Sequence, residues 1–305
     1  MKLVFIFYLS INFSLACDHF FKLPSAIKWD KRIDEFCPVT HQYKLSSCWA
    51  NVSAELYTNY FRRVGLLKVD EYLAYGYYYG QLMKAKVSGL HVARGDEFGG
   101  TLIDFESLLE KYGIVTQKDY QNVLTDGSEL NFKREMEHET FMRELNTTHE
   151  KAAVVENFFG LSHVIGRPVD LRLMPRFVYY HNIVSNELAA DSFKAEERTY
   201  EMLRKHIDAG IPIYTSWKMS ETLDKTMNTF ANVGISFPWV KADATNLHAM
   251  LIVGYQLDDK GAVKNLLIKN SRGRKYGENG FTVMSQRAIA KYLNGLYFLD
   301  VNNSF

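Results

Sequence analysis

Ser46-Ser47-Cys48-Trp49-Ala50-Asn51-Val52-Ser53-Ala54-Glu55-Leu56-Tyr57 is the stretch on which the reading of this chain turns. Apolar residues recur at 49, 52, 56 and 60, Ser47 can cap, and Gly65 can end the run, so the spacing predicts a helix opening at Cys48. A thiol at a helix N-terminus meets unpaired N–H groups and the positive end of the dipole. Both favour the thiolate, the form that attacks carbonyl carbon. Taken alone, Cys48 fits a buried structural thiol better, the commonest fate of a free cysteine.

Upstream of this helix the chain carries two more cysteines, Cys17 and Cys37. Met1-Lys2, an apolar run from Leu3 to Phe13 and the small residues of Ser14-Leu15-Ala16 together resemble a secretory signal, so residues 1–16 are set apart from the fold. The expected location is secreted or periplasmic. A lipid anchor on Cys17 is disfavoured, because Ser14 stands where bacterial lipoprotein signals carry Leu. In an oxidising compartment three cysteines suggest one pair, Cys17–Cys37, and one thiol, Cys48, kept free for chemistry.

Four stretches extend the pattern. Gln42 lies six positions before Cys48 in Pro38-Val39-Thr40-His41-Gln42-Tyr43-Lys44-Leu45-Ser46-Ser47-Cys48-Trp49-Ala50. Phe98-Gly99-Gly100-Thr101 precedes a helical run from Phe105 to Ile114. His248-Ala249-Met250-Leu251-Ile252-Val253-Gly254-Tyr255 reads as a strand, and Leu267-Ile268-Lys269-Asn270-Ser271 is followed by Gly277-Glu278-Asn279-Gly280-Phe281. In this order they resemble the nucleophile, Gly-Gly, histidine and asparagine segments of the papain-like cysteine peptidases.

The chemistry can be stated from the residues. A thiol nucleophile needs a base, the base needs a third group to fix its tautomer, and the developing oxyanion needs fixed donors. Cys48 would attack the scissile carbonyl, and His248 would hold the thiol proton and pass it to the leaving amine. Asn270 would accept from the other imidazole nitrogen, and Gln42 would donate to the oxyanion beside the Cys48 N–H. Gly99 and Gly100 would let an extended peptide approach bare backbone. Two departures stand out. Most members read Asn-Ser-Trp-Gly, whereas this chain has Asn270-Ser271-Arg272-Gly273, which lacks the indole shielding the His–Asn bond. The frequent Cys-Gly pair is replaced by Leu45-Ser46. A catalytically silent papain-like fold that binds peptides or a protein partner is the rival reading.

Other chemistries find no anchor. The net charge of the 305 residues is +1, so nucleic acid is a poor partner. The nine histidines show no HExxH or paired Cys/His spacing, and no glycine-rich nucleotide loop occurs, so no metal or cofactor is expected. No run after the signal reaches the roughly 18 apolar residues of a membrane helix. Tyr72 to Tyr79, at near-helical spacing, reads as a packed helix face rather than a cleft lining.

From Cys48 to His248 is 200 positions, against roughly 130 to 150 in the simple papain pattern. An insertion at about 121–200 is therefore expected, with helix-prone runs from Phe132 to Leu145 and Asp191 to Met202. Such helical insertions, together with Asp70-Glu71-Tyr72-Leu73 and the text from Met284 to Val301, resemble the bleomycin-hydrolase-like branch. The resemblance implies an α+β fold of two lobes with a cleft between them. Residues 17–44 would cross between lobes, 45–200 would form a helical lobe with Cys48, and 201–305 would form a β-rich lobe with His248 and Asn270. In that branch a C-terminal arm restricts cleavage to peptide N-termini. Only Asn302-Asn303-Ser304-Phe305 follow the last strand-like run here, so an open groove and endopeptidase action are expected, with aminopeptidase action the alternative.

Overall fold

The computed structural model describes residues 27–29, 42, 46–90, 99–123, 134–181, 197–219, 223–224, 227, 232–233, 246–285, 288–289 and 292–300. The signal-like residues 1–16, the Cys17–Cys37 pair, most of the crossing segment 17–44 and the tail 302–305 lie outside them. Strand β1 is Lys28–Trp29, and helices α1 (Cys48–Arg63), α2 (Tyr75–Val87), α3 (Leu102–Tyr112) and α4 (Gln117–Val123) follow. The region of the expected insertion supplies α5 (Arg134–Thr147), α6 (Lys151–Phe159), strand β2 (Phe177–His181) and the start of α7 (Glu197–Asp208). Then come β3 (Ile213–Met219), β4 (Asn232–Val233), β5 (Asn246–Leu257), β6 (Val263–Lys269), β7 (Phe281–Ser285) and β8 (Leu293–Leu299).

Among the described residues these strands form one sheet in the order β2-β8-β3-β5-β6-β7-β4, with β1 paired to β5. All pairings are antiparallel except β4 with β7. Asp258, Asp259, Lys260 and Gly261 make the expected turn between β5 and β6. The Asp258 carboxylate accepts from the N–H groups of Lys260 and Ala262, both at 2.9 Å, and Gly261 adopts the positive φ of 79° that a side chain would resist.

The period of two along the strands divides the sheet between two cores. Tyr214, Ala249, Leu251, Val253, Leu267, Phe281 and Val283 pack with α1, α2 and α3, while Ile213, Trp217, Met250, Ile252, Leu266, Ile268 and Met284 pack with Leu203 and Ile207 of α7. The sheet is thus apolar on both faces, and α1 is fastened to it by buried hydrophobic area.

Helix α1 begins at Cys48 and ends at Arg63, just ahead of Gly65 at φ 76°, as its spacing predicts. Two details differ. Ser47 stands at the cap position, yet its hydroxyl caps no N–H; Asn51 instead donates from Nδ2 to the Ser47 carbonyl at 2.9 Å. The burial is also not confined to one face. Asn51, Ser53 and Thr58 are as buried as the apolar residues, because α2 and α3 cover the side turned away from the sheet. The Thr58 hydroxyl accepts from the Leu73 N–H at 3.0 Å, satisfying a group that would be costly to bury alone. The tyrosines behave as a packed face: Tyr77, Tyr78 and Tyr79 are all buried on α2.

Helix α3 starts at a capping box in which Asp104 N–H donates to Thr101 Oγ1 at 3.2 Å and Thr101 N–H to Asp104 Oδ2 at 2.7 Å. This fixes the chain direction directly after Gly99 and Gly100. Among the described residues no helix is long and apolar enough to cross a membrane.

Candidate active site

Cys48 is the first residue of α1, His248 lies near the start of β5, and Asn270 directly follows β6. The β5–β6 hairpin sets the last two side by side: His248 Nε2 donates to Asn270 Oδ1 at 2.9 Å, with both residues buried. That bond occupies Nε2 and commits Nδ1 to the thiol side. Asn270 is itself fixed by its N–H, which donates to the Gly280 carbonyl at 2.9 Å.

The Cys48 thiol lies in hydrogen-bonding contact with His248. The protein packed around it raises its pKa by desolvation. Against that act the charge of the imidazolium, its hydrogen bond to sulfur, and the backbone N–H groups of Ala249 and Trp49, and the net result lies below the ordinary thiol value. The Ala249 N–H was not legible in the sequence, because it depends on the depth at which α1 meets β5.

Gln42 is buried, and both its backbone and its side chain are held by the residue after Asn270. Its N–H donates to the Ser271 carbonyl at 2.8 Å, and the Ser271 hydroxyl donates to Gln42 Oε1 at 2.6 Å. With the Ser271 hydroxyl on Oε1, Gln42 Nε2 lies at the opposite end of the carboxamide. Sequence reading gave Ser271 no task. The expected result for Ser271→Ala is a fall in kcat with KM little changed, roughly tenfold from about 1.5 kcal/mol of lost orientation. Steady-state kinetics on the purified variant would measure it.

Arg272 is turned toward Asp224. Its Nε lies 3.2 Å from Asp224 Oδ1, and its guanidinium sits 5.9 Å from the centre of the Tyr276 ring, whose hydroxyl donates to the same carboxylate at 2.8 Å. On the other side, the register of β3 and β5 sets Trp217 opposite His248, fully buried. An indole is therefore a neighbour of the histidine in the sheet although none follows Ser271.

Gly99 and Gly100 flank the start of α3, and Lys86 Nζ donates to the Gly99 carbonyl. A Cβ at Gly100 would lie 2.6 Å from Trp49 Cε2 and 2.8 Å from Leu82 Cδ2. Glycine is thus required at 100 by the indole beneath it, a packing reason distinct from the peptide approach expected of the pair.

A helix-borne cysteine faces a histidine and an asparagine held by a sheet, an arrangement similar to that of the papain-like cysteine peptidases, and the chain has their α+β fold. Comparison with known proteins agrees. Residues 208–300 match the Peptidase C1-like family. Cysteine proteinase 15A of Pisum sativum is 25% identical over 276 residues, covering 85% of this chain and 57% of that protein, so the chain spans little more than half the length of this relative. Among solved structures, PepW of Lactobacillus rhamnosis aligns with a TM-score of 0.50 and 15% identity over 90% of this chain and 81% of its own. The structure reported for the mite allergens Blo t 1 and Der p 1 aligns with a TM-score of 0.54 and 13% identity over 93% and 73%. The chain is thus similar to papain-like cysteine peptidases in its fold and, over residues 208–300, in its sequence.

Proposed function

We propose that this chain hydrolyses peptide bonds through a thiolate–imidazolium pair and an acyl-enzyme. The observation that carries the reading is the Cys48 thiol, held below its ordinary pKa by a histidine whose other nitrogen is bonded to Asn270. The thiolate adds to the scissile carbonyl carbon, and the electron pair moves to oxygen, where Gln42 Nε2 and the Cys48 N–H receive it. Each such donor is worth about 3 kcal/mol of barrier. Collapse expels the amine, which takes the proton of His248, and leaves a thioester. Water then gives a proton to His248 as it adds to the thioester carbonyl, and release of the acid restores the ion pair. Gly99 and Gly100 would present backbone to an extended peptide.

Cleavage within chains, rather than trimming of N-termini, is the proposed mode; the residues 302–305 that bear on it lie outside those described. The proposed place of action is secreted or periplasmic, on the composition of residues 1–16. The test is a thiol-directed peptidase inhibitor with the adduct mapped by mass spectrometry, followed by matched peptides with free and acetylated N-termini. Labelling of native Cys48 and cleavage of both peptides are expected. A Cys48 labelled only after unfolding would overturn the enzyme reading in favour of a binding fold, and cleavage abolished by acetylation would establish an aminopeptidase.

A further inference from the structure

The region of the expected insertion re-enters the sheet through β2, and its central residue bears on what lies beside the thiol. Tyr179 of β2 stands opposite Tyr297 of β8, which stands opposite Tyr214 of β3. Tyr179 and Tyr297 stack with ring centres 4.3 Å apart and planes 29° apart, and Tyr214 meets Tyr297 edge-on at 5.2 Å. Two residues along each of these strands, on the same face, comes a row of small groups: Gly295 of β8 opposite Ser216 of β3, which is opposite Ala249 of β5. Ala249 is the residue whose N–H reaches the Cys48 sulfur. A low row therefore runs away from the nucleophile, with a wall of aromatic rings behind it.

Tyr179 does not stay within its own row. A Cβ built on Gly295 would lie 2.8 Å from both Cε2 and Oη of Tyr179, so the phenol leans forward along the strand and rests on the glycine. Ser216, next in the low row, accepts from Asn294 Nδ2 at 3.2 Å. The far end of the recess is thus closed by a ring that the simple papain spacing has no residues to supply. Tyr179 is 43% exposed.

We propose that Tyr179 is a specificity-determining residue: by covering Gly295 it shortens the recess beside Cys48, so the favoured peptides place a small side chain such as Ala or Ser there, and Leu or Phe is disfavoured. The proposal rests on the peptidase reading, but its test does not need turnover. Peptidyl halomethyl ketones that alkylate Cys48 are made with Ala, Leu or Phe at each of the first three positions before the reactive group. Their labelling rates are compared in the wild type, Tyr179→Ala and Tyr179→Thr, the last keeping a β-branched residue on the strand. At one position the wild type should react faster with Ala than with Phe, and both variants should raise the Phe-to-Ala rate ratio there by about tenfold or more. Tyr179→Phe, which keeps the ring, should retain the wild-type ratio. Variants that melt like the wild type and show an unchanged ratio at all three positions would overturn the proposal. Labelling without peptide cleavage would count against the peptidase reading alone.

Discussion

Replacing His248 with Ala should lower kcat on any cleaved peptide by roughly 10⁴-fold or more, with little effect on folding. Two losses combine. The leaving amine no longer finds a proton donor, and the thiol no longer has the partner that holds its pKa down. Desolvation is the largest influence on Cys48 and pushes its pKa upward; the charge and hydrogen bond of His248 are the next two and oppose it. With both removed, the two backbone N–H groups remain against burial, so the thiol should titrate well above its wild-type position. The rate of iodoacetamide labelling followed against pH checks the sign. The wild type should reach its plateau below the ordinary thiol value of about 8.5, and His248→Ala should still be climbing above it. Equal inflections in the two proteins would show that the thiol is not paired with His248.

Lys269→Met should destabilise the protein by about 3 to 5 kcal/mol, the cost of breaking the ion pair between the buried Lys269 and Glu55. Lys269 Nζ lies 2.6 Å from Glu55 Oε2, with side-chain exposures of 2% and 14%. The pair joins the second turn of α1 to the residue directly before Asn270, so it ties the helix that carries Cys48 to the strand that leads into Asn270. Removing both charges, in Glu55→Met with Lys269→Met, should recover much of the loss, because two methionines fill the space without desolvating an ion. Urea unfolding of the single and double variants measures this, and a double variant as unstable as the sum of the singles would show that the charges do not act as a pair.

How far the sequence led can be judged residue by residue. Helix α1 was legible because its apolar spacing and Gly65 are local signals. The juxtaposition of Gln42, Cys48, His248 and Asn270 was legible only through four separated stretches in a familiar order, since no periodicity encodes contact across 200 positions. The all-round burial of α1 escaped, because Asn51, Ser53 and Thr58 look solvent-facing until α2 and α3 are seen to pack over them. Asp224 as the partner of Arg272 escaped for a related reason: an ion pair 48 positions apart leaves no trace in spacing. Strand β2 was absorbed into a region expected to be helical. Its Phe177-Val178-Tyr179-Tyr180-His181 is a strand-like run, but the charged helical runs on either side set the expectation.

That strand has a bearing on how such a chain can be altered. By pairing with Gly295 to Leu299 it supplies the outer neighbour of β8. The same region is stapled to the end of α3 where Gly113 and Gly166 cross so closely that a methyl group on Gly166 would fall 2.1 Å from the Tyr112 carbonyl oxygen. Excising residues 121–200 to regain a minimal peptidase would therefore strip one whole side of β8 of its hydrogen-bond partners and offer it to a neighbouring molecule as a template for strand pairing. Trimming would expose a strand edge to self-association, so this region is a condition of the fold and not cargo carried on it.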